Sequence, residues 1–401
     1  MKVGIIGGGA SGLACGIFLA RAGLQVQIFE RKDRVGKKLL ATGNGRCNLG
    51  NRDLSMDHFH SVEGDIPEGI LKSFGLKESQ DFFQSLGIDI VEEARGKLYP
   101  VTLTAATVLN ALRDELNVLG VEEIIQKKID EILPAKKGFV LKSNGQEFPV
   151  DKVVVATGGM SMPKSGSDGS AYKLLENLGH SRTRQFPAIC AVQLDSPYLK
   201  HLSGTKIQGK VSLYSNKGHI LTENGEILLA KDGISGPPVL DISRYVNENE
   251  EDKWVSFPLI NHLVQLGQDY RQVLESRSYM DRSIENFLQG IVSKKWIHVI
   301  VKELELDKES STLNLEYKQR EALFDMLFSY KMKVVGTRDY ESAQVTCGGI
   351  SLKEFDEKTL ESKIVPGLFA LGELLDLDGD CGGYNLHWAW ASAWACSKGV
   401  K

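Results

Sequence analysis

Residues 2 to 6, Lys-Val-Gly-Ile-Ile, read as one short buried strand, and the apolar run breaks at Gly7-Gly8-Gly9-Ala10-Ser11-Gly12. From Leu13 to Ala22 apolar residues recur at helical spacing, and Gln25 to Phe29 forms a second strand pattern that ends at Glu30. The spacing further predicts helices over 76–91 and 104–118 on the outside of a sheet. It predicts short strands over 122–150 around a Ser143-Asn144-Gly145 turn, a strand from Asp151 running into Gly158-Gly159, and a helix from Ser170 to Leu178. From about 186 to 255 the texture changes to short alternating runs separated by turns, a strand-rich region. Within it, 228–236 reads as a loop leading to a helix start at Pro237-Pro238. Residues 262 to 328 form a helical cluster, and 361–372 a turn into a short strand. Gly382-Gly383-Tyr384-Asn385 then opens a last helix containing NLHWAWASAWAC. The predicted class is α/β: a split, three-layer nucleotide domain interrupted by a β-rich domain and a helical domain. Its expected parts are 1–185 and 343–401, with 186–260 and about 329–342 as the β-rich insertion and 261–328 as the helical one.

Strand, glycine turn, helix, strand and terminal acid together predict a nucleotide site. Gly7 permits the tight turn, Gly9 lets backbone approach a pyrophosphate, and Gly12 lets the helix pack close to the strand. The helix start offers unpaired N–H groups to negative charge. Glu30 stands at the spacing of an acid that accepts hydrogen bonds from an adenosine ribose, and its charge disfavours a ribose 2'-phosphate. FAD and NAD both satisfy this much. After a charged stretch from Arg31 to Lys38, Leu40 to Asn48 brings glycine-punctuated backbone donors and polar side chains suited to a phosphate, a ribityl chain or a ring edge. Arg46 fits a phosphate or carboxylate there, and Asn48 a polar ring edge. Cys47 beside an arginine is either a redox thiol or nucleophile, or a small packed residue.

The far end of the chain separates the two nucleotides. An NAD dehydrogenase has no need of a remote return to the first domain, whereas FAD is long enough to touch both ends of the chain. No second strand-led Gly-x-Gly-x-x-Gly occurs in the inserted region, so any NAD(P)H is expected to bind transiently in an atypical groove. Glu373, an acid at a strand end, suits ribityl hydroxyls or water-mediated phosphate contacts. The helix opened by Gly382 to Asn385 turns free N–H groups to an electron-rich ring atom or phosphate and stabilises charge on a reduced flavin. Tyr384 and His387 join Cys47 as candidate catalytic residues, His387 as an acid or base, with a packed histidine the alternative. Trp388, Trp390 and Trp394 are expected to be buried rather than to box a cofactor.

A chain of 401 residues with 42% hydrophobic content is long enough for two or three domains. A net charge of −4 gives no reason to expect nucleic acid or an anionic membrane as partner, although charge alone decides nothing; a small-molecule substrate is the expected partner. The six cysteines are dispersed and never form Cys-x-x-Cys, against a zinc knuckle, a dithiol motif or a disulfide scaffold; no metal site is expected. The first apolar run has only Lys2 before it and continues into glycines, unlike a signal peptide or membrane span, so the expected location is cytoplasmic.

The chain resembles the HI0933-like (YhiN or BaiN) family of NAD(P)/FAD-dependent oxidoreductases over essentially its full length. The resemblance rests on GGGASGLACG at 7–16, LLATGNGRCNLGN at 39–51, VVVATGG at 153–159, DGISGPPVL at 232–240, VTCGGI at 345–350 and GLFALGELLDLDGDCGGYNLHWAWASAWA at 367–395. It departs from the family at Ser165-Gly166-Ser167, where a threonine-glycine pair is usual before Asp168-Gly169. The resemblance implies a Rossmann-like FAD domain split by a β-rich and a helical domain. It implies FAD contacts from Gly7, Gly9, Gly12, Glu30, Arg46, Cys47 and Asn48 at one end and from Gly372, Glu373, Asp376, Gly382, Gly383, Tyr384 and Asn385 at the other. Thr346, Gly348 and Gly349 are implied near the flavin, the two glycines at the substrate face. The wider implied set adds Ala10, Ser11, Arg31, Lys38, Leu39, Gly45, Ala156, Thr157, Gly158, Gly159 and Leu386. The implied chemistry is hydride transfer through flavin N5 between NAD(P)H and a small organic substrate. A flavin oxidase of amines or hydroxyls using oxygen, and a flavin-bearing redox sensor or nucleic-acid-modifying protein, are the alternatives.

Overall fold

The first strand, Lys2–Ile6 (β1), runs up the middle of a parallel sheet, with Val3 and Ile5 fully buried. Its neighbours are Gln25–Phe29 (β2) and, on the other side, Lys152–Val155 (β4); Glu122–Ile124 (β3) and Leu368–Ala370 (β5) complete the order β5-β4-β1-β2-β3. Every pair is parallel, with Ile5 opposite both Ile28 and Val154. Near-continuous apolar runs are what a parallel sheet covered on both faces requires. The helix Ala10–Arg21 (α1) makes the crossover between β1 and β2. The last helix, Tyr384–Gly399 (α2), packs along α1 through small residues, so that Cys15 Sγ lies 3.9 Å from Cys396 Sγ. Trp388 and Trp390 are fully buried. This computed structural model describes residues 1–249, 251–267 and 269–400.

The chain forms two compact units. The parallel sheet belongs to Met1–Pro187 together with Asp339–Lys401. Ala188–Arg338 makes the other, built on a closed antiparallel barrel in the order Val192–Asp195, Gly233–Ser235, Gly218–Ala230, Lys206–Ser215, Lys253–Phe257 and Tyr330–Thr337. Strand Lys206–Ser215 buries Ile207, Val211 and Leu213 at period two, as one inward face demands. Helices from Leu263–Leu266 to Tyr317–Phe328 contribute Leu274, Phe287, Trp296 and Phe324 to the same core. Among the described residues no helix is long and apolar enough to cross a membrane.

Local expectations are corrected at three places. The helix expected over 76–91 ends at Ser85, because Gly87 takes the left-handed conformation at φ 76° and turns the chain into the strand Ile90–Glu93. Residues 228–236 are not a loop throughout: the long strand continues to Ala230 and Gly233–Ser235 pairs back onto it. The helix does begin at Pro237. The helix expected from Ser170 to Leu178 is shortened to Tyr172–Glu176.

Candidate cofactor and active site

The loop between β1 and α1 is built by glycines of two kinds. At Gly7, φ 107°, an added Cβ would meet the Ala156 carbonyl oxygen at 2.4 Å, and at Gly12 it would meet the Gly7 oxygen at 2.0 Å. These two glycines are demanded by the protein itself. At Gly9 an added Cβ would touch nothing within 4 Å. Gly9 is also the N-cap of the twelve-residue α1, with no side-chain cap on the helix N–H groups. An open backbone approach at an uncapped helix start fits a diphosphate. Glu30, at the end of β2, is buried; its Oε2 accepts from Gly8 N at 3.0 Å and its Oε1 from Lys32 N at 2.8 Å. Arg31 pairs with Asp168 at 2.6 Å.

A second layer is knitted to this loop from the far end of the chain. Glu373 accepts from Thr346 N at 2.9 Å and pairs with Lys38. Thr346 Oγ1 accepts from Met160 N at 2.8 Å and Ser161 N at 3.0 Å, while a Cβ on Gly159 would lie 2.6 Å from it. A Cβ on Gly372 would meet Ser11 Oγ at 2.9 Å. Gly7 to Gly12, Ala156 to Gly159, Lys38, Thr346, Gly372 and Glu373 are thus neighbours. The buried Thr157 Oγ1 has no hydrogen-bond partner among the described residues.

The opening of α2 forms a third group with the strand Gly50–Asn51. Gly383, φ 103°, lies so close to this strand that a Cβ would meet Gly50 O at 2.4 Å and Asn48 Oδ1 at 2.8 Å. Asn51 Nδ2 donates to Gly382 O at 3.0 Å, and Asn385 makes paired bonds with the backbone of Gly379, at 2.9 and 2.6 Å. Asn48 Oδ1 and Arg46 Nε are buried with no hydrogen-bond partner among the described residues, although the Arg46 guanidinium pairs with Glu93 and lies 4.3 Å from the Tyr99 ring centroid. Unspent polar atoms beside a glycine-only backbone fit a polar ring edge. The residues present therefore fit an extended dinucleotide with a polar ring.

Several site candidates are already engaged by the protein. Asp376 is fully buried and accepts from Val62 N, Ser61 Oγ and Glu63 N at 2.9 to 3.1 Å, so its oxygens pin the 61–63 loop; burial raises its carboxyl above the ordinary range against those bonds. A Cβ on Gly348 would meet Arg184 O at 2.1 Å, and one on Gly349 would meet Leu374 O at 2.6 Å. Close backbone packing alone demands both glycines. Cys47 is fully buried, and burial pushes its thiol up to about 12. Burial likewise pushes the His387 imidazole down to about 4, and its Nε2 has no partner. Ala10 and Leu386 are half-buried, Leu39 is buried, and Gly45 turns the chain at φ 83°.

The family described as HI0933-like protein Rossmann domain matches residues 1–399. The chain belongs to the HI0933-like family. Among curated proteins it is 34% identical to the 3-dehydro-bile acid delta(4,6)-reductase of Clostridium scindens, over 99% of this chain and 98% of the relative. It is 29% identical to the ribosomal RNA dihydrouridine synthase of Escherichia coli, over 98% of this chain and 96% of that one. Among solved structures, an open flavocytochrome c3 fumarate reductase aligns with TM-score 0.46 at 14% identity, over 100% of this chain and 78% of that one.

In this HI0933-like chain the sequence pattern does not single out Asn51, His58, His60 or Asp380, which the fold gathers around the start of α2. The available signal was His58-Phe59-His60, two of the eight histidines at strand spacing, with Asp380 immediately before the Cys381-Gly382-Gly383 turn. Among the described residues no three His, Cys, Asp or Glu side chains group as metal ligands do.

Proposed function

We propose that this chain is an FAD-dependent reductase that saturates a carbon–carbon double bond conjugated to a carbonyl, with NAD(P)H as the hydride source. The observation that carries the reading is the end-to-end similarity to a delta(4,6)-reductase in a chain with an extended dinucleotide cradle. In a 3-dehydro substrate the double bonds at positions 4 and 6 are conjugated to the 3-ketone. The bond saturated in making dihydrouridine is likewise conjugated to a ring carbonyl.

Bound FAD supplies a hydride equivalent at N5. The free N–H groups at the start of α1 hold the diphosphate, with Gly9 giving it room. Glu30, oriented by two backbone N–H groups, accepts from adenosine ribose hydroxyls. Glu373, fixed between Lys38 and Thr346, orients the ribityl chain. Asn48 and the N–H groups opening α2 hold the polar ring edge and stabilise negative charge there. Neither Cys47 nor His387 moves a proton in this reading, since burial keeps the first a thiol and the second a neutral imidazole near pH 7.

The test is anaerobic stopped-flow absorbance of the FAD-loaded protein with NADH or NADPH, then with 4-androstene-3,17-dione as conjugated acceptor. Bleaching of the flavin band by one nucleotide and its return on adding the enone are expected. Absence of bleaching by both overturns the NAD(P)H-linked reading, and return only on admitting air points to an oxidase. The similarity to a ribosomal RNA dihydrouridine synthase favours a second reading, a uracil base in RNA as acceptor. Return of the band with ribosomal RNA but not with the enone would establish it.

A further inference from the structure

Beside the opening of α2 the fold places two imidazoles on one carboxylate. The short strand Phe59–His60 pairs antiparallel with Asp378–Gly379, and Asp380 N donates to His58 O at 3.0 Å, which brings residues 58, 60 and 380 together. His58 Nδ1 lies 2.9 Å from Asp380 Oδ2, and His60 Nε2 lies 2.8 Å from Asp380 Oδ1. The His58 ring stacks on the Tyr384 ring at 4.4 Å between centroids, and its Nε2 is 3.4 Å from Asp53 Oδ2. None of the three side chains is sealed off: His58, His60 and Asp380 are 31%, 17% and 28% exposed.

Burial works to raise the Asp380 carboxyl, and the hydrogen bonds from His60 and His58 outweigh it, holding the acid below its ordinary range. Each imidazole therefore turns an N–H toward an anion. This fixes the tautomers and leaves the outer nitrogen of His58, Nε2, to gain or release a proton. One carboxylate thus holds two imidazoles, one on each of its oxygens.

We propose that His58, Asp380 and His60 form a proton-holding unit that supplies the proton completing reduction of the conjugated double bond, with His58 Nε2 as its outlet. The inference rests on the reductase reading above. In that reaction the alkene carbon remote from the carbonyl forms a C–H bond as the hydride's bond to its donor breaks, both electrons leaving with the hydrogen; the donor is oxidised, and the two electrons originate in NAD(P)H. The π pair moves toward the carbonyl as an enolate. The enolate carbon forms the second C–H bond as the N–H bond of the imidazolium breaks, and solvent returns the proton to the neutral imidazole. Asp380 and His60 are positioning residues; among the described residues Asp53 faces the outlet, Asp380 the opposite nitrogen of His58 and the Tyr384 ring its face, with Cys381 next to Asp380 along the chain.

Replacements that keep the hydrogen bonds but carry no proton separate this role from a structural tether. In His58→Asn the amide nitrogen replaces Nδ1, and in His60→Gln it replaces Nε2. In the FAD-loaded enzyme, His58→Asn is expected to bind FAD and be reduced by NAD(P)H as the wild type is. Its flavin should be reoxidised by 4-androstene-3,17-dione on the order of 100-fold more slowly, the usual scale of a lost general acid. The wild-type rate should fall as pH rises, and the variant should lose that dependence. Imidazole nitrogen NMR of the oxidised holoprotein supplies a readout without turnover: His58 Nδ1 and His60 Nε2 should each show a proton hydrogen-bonded to Asp380, and both signals should shift in Asp380→Asn. An unchanged reoxidation rate in His58→Asn, or loss of FAD from that variant, overturns the proposal and leaves the cluster a tether. If the wild type reduces no enone, the reductase reading fails by itself. The NMR signals then decide the unit: protons held between both imidazoles and Asp380 sustain it, and their absence overturns it.

Discussion

Trp388 Nε1 donates to the carbonyl oxygen of Gly372 at 3.1 Å, and one helical turn later Ser392 Oγ accepts from Gly372 N at 3.1 Å. Residues four apart on α2 thereby grip both polar groups of one glycine, whose neighbour Glu373 faces the nucleotide loop.

Trp388→Phe keeps the ring and removes the donor. Gly372 O retains Leu375 N at 3.1 Å, so the expected loss is only about 1 kcal/mol of stability. Trp388→Ala also opens a cavity and should cost about 3–5 kcal/mol. Urea denaturation measures both, and FAD titration should show weaker binding in each, because Gly372, the neighbour of Glu373, is held less firmly. Equal stability of the phenylalanine variant and wild type would show that the indole bond contributes nothing.

The two glycine types in the first loop predict opposite outcomes. Gly12→Ala drives a Cβ into backbone at 2.0 Å, where no side-chain rotation relieves it, and should cost more than about 2 kcal/mol. Gly9→Ala meets nothing within 4 Å and has ordinary backbone angles, φ −86° and ψ −169°. Its stability should stay within about 1 kcal/mol of wild type while FAD binds at least about tenfold more weakly. Thermal unfolding without FAD, set beside FAD titration, checks the pair; normal FAD affinity in Gly9→Ala would detach the loop from the diphosphate.

That contrast bears on what the sequence makes legible. Motifs that dictate local backbone, such as Gly7 to Gly12 and the strand ending at Glu30, are readable because turn, helix start and acid lie within one short segment. The limits of longer elements are set by single residues, as where Gly87 stops the helix at Ser85. Gly348, Gly349 and Asp376 look like ligand contacts in a motif, yet neighbours distant in sequence, Arg184, Leu374 and the 61–63 loop, account for their identity. Spacing shows only the His58-Phe59-His60 half of the His58–Asp380–His60 group, since Asp380 joins it through pairing of strands some 320 residues apart.

Thiol chemistry provides an independent check on burial. With its thiol pushed up to about 12, Cys47 presents only about one thiolate in ten thousand at pH 8. Of the six cysteines only Cys381 is partly exposed. Iodoacetamide on the folded protein at pH 8 should therefore label Cys381 alone, and all six after denaturation. Cys47→Ala should retain turnover within about threefold and lose about 1 kcal/mol of stability. Rapid labelling of Cys47 in the native protein would restore it as a reactive thiol.

His387 makes stability depend on pH in a definite direction. Its imidazole titrates near 4 in the folded chain, against about 6.5 when unfolded, because burial penalises the charged form. Between these values the unfolded chain binds the extra proton, so stability is fully present above about pH 6.5 and declines as pH falls toward 4. From pH 7.5 to 5 the loss from this one group is about 2 kcal/mol. His387→Gln cannot take up the proton and should remove that part of the acid sensitivity, leaving the contribution of the carboxylates. Urea midpoints of wild type and variant at both pH values isolate the difference. Parallel losses in the two proteins would mean that the imidazole becomes charged inside the fold, and hence that water or an anion reaches the Phe74 side of α2, where the ring now packs at 6.0 Å between centroids.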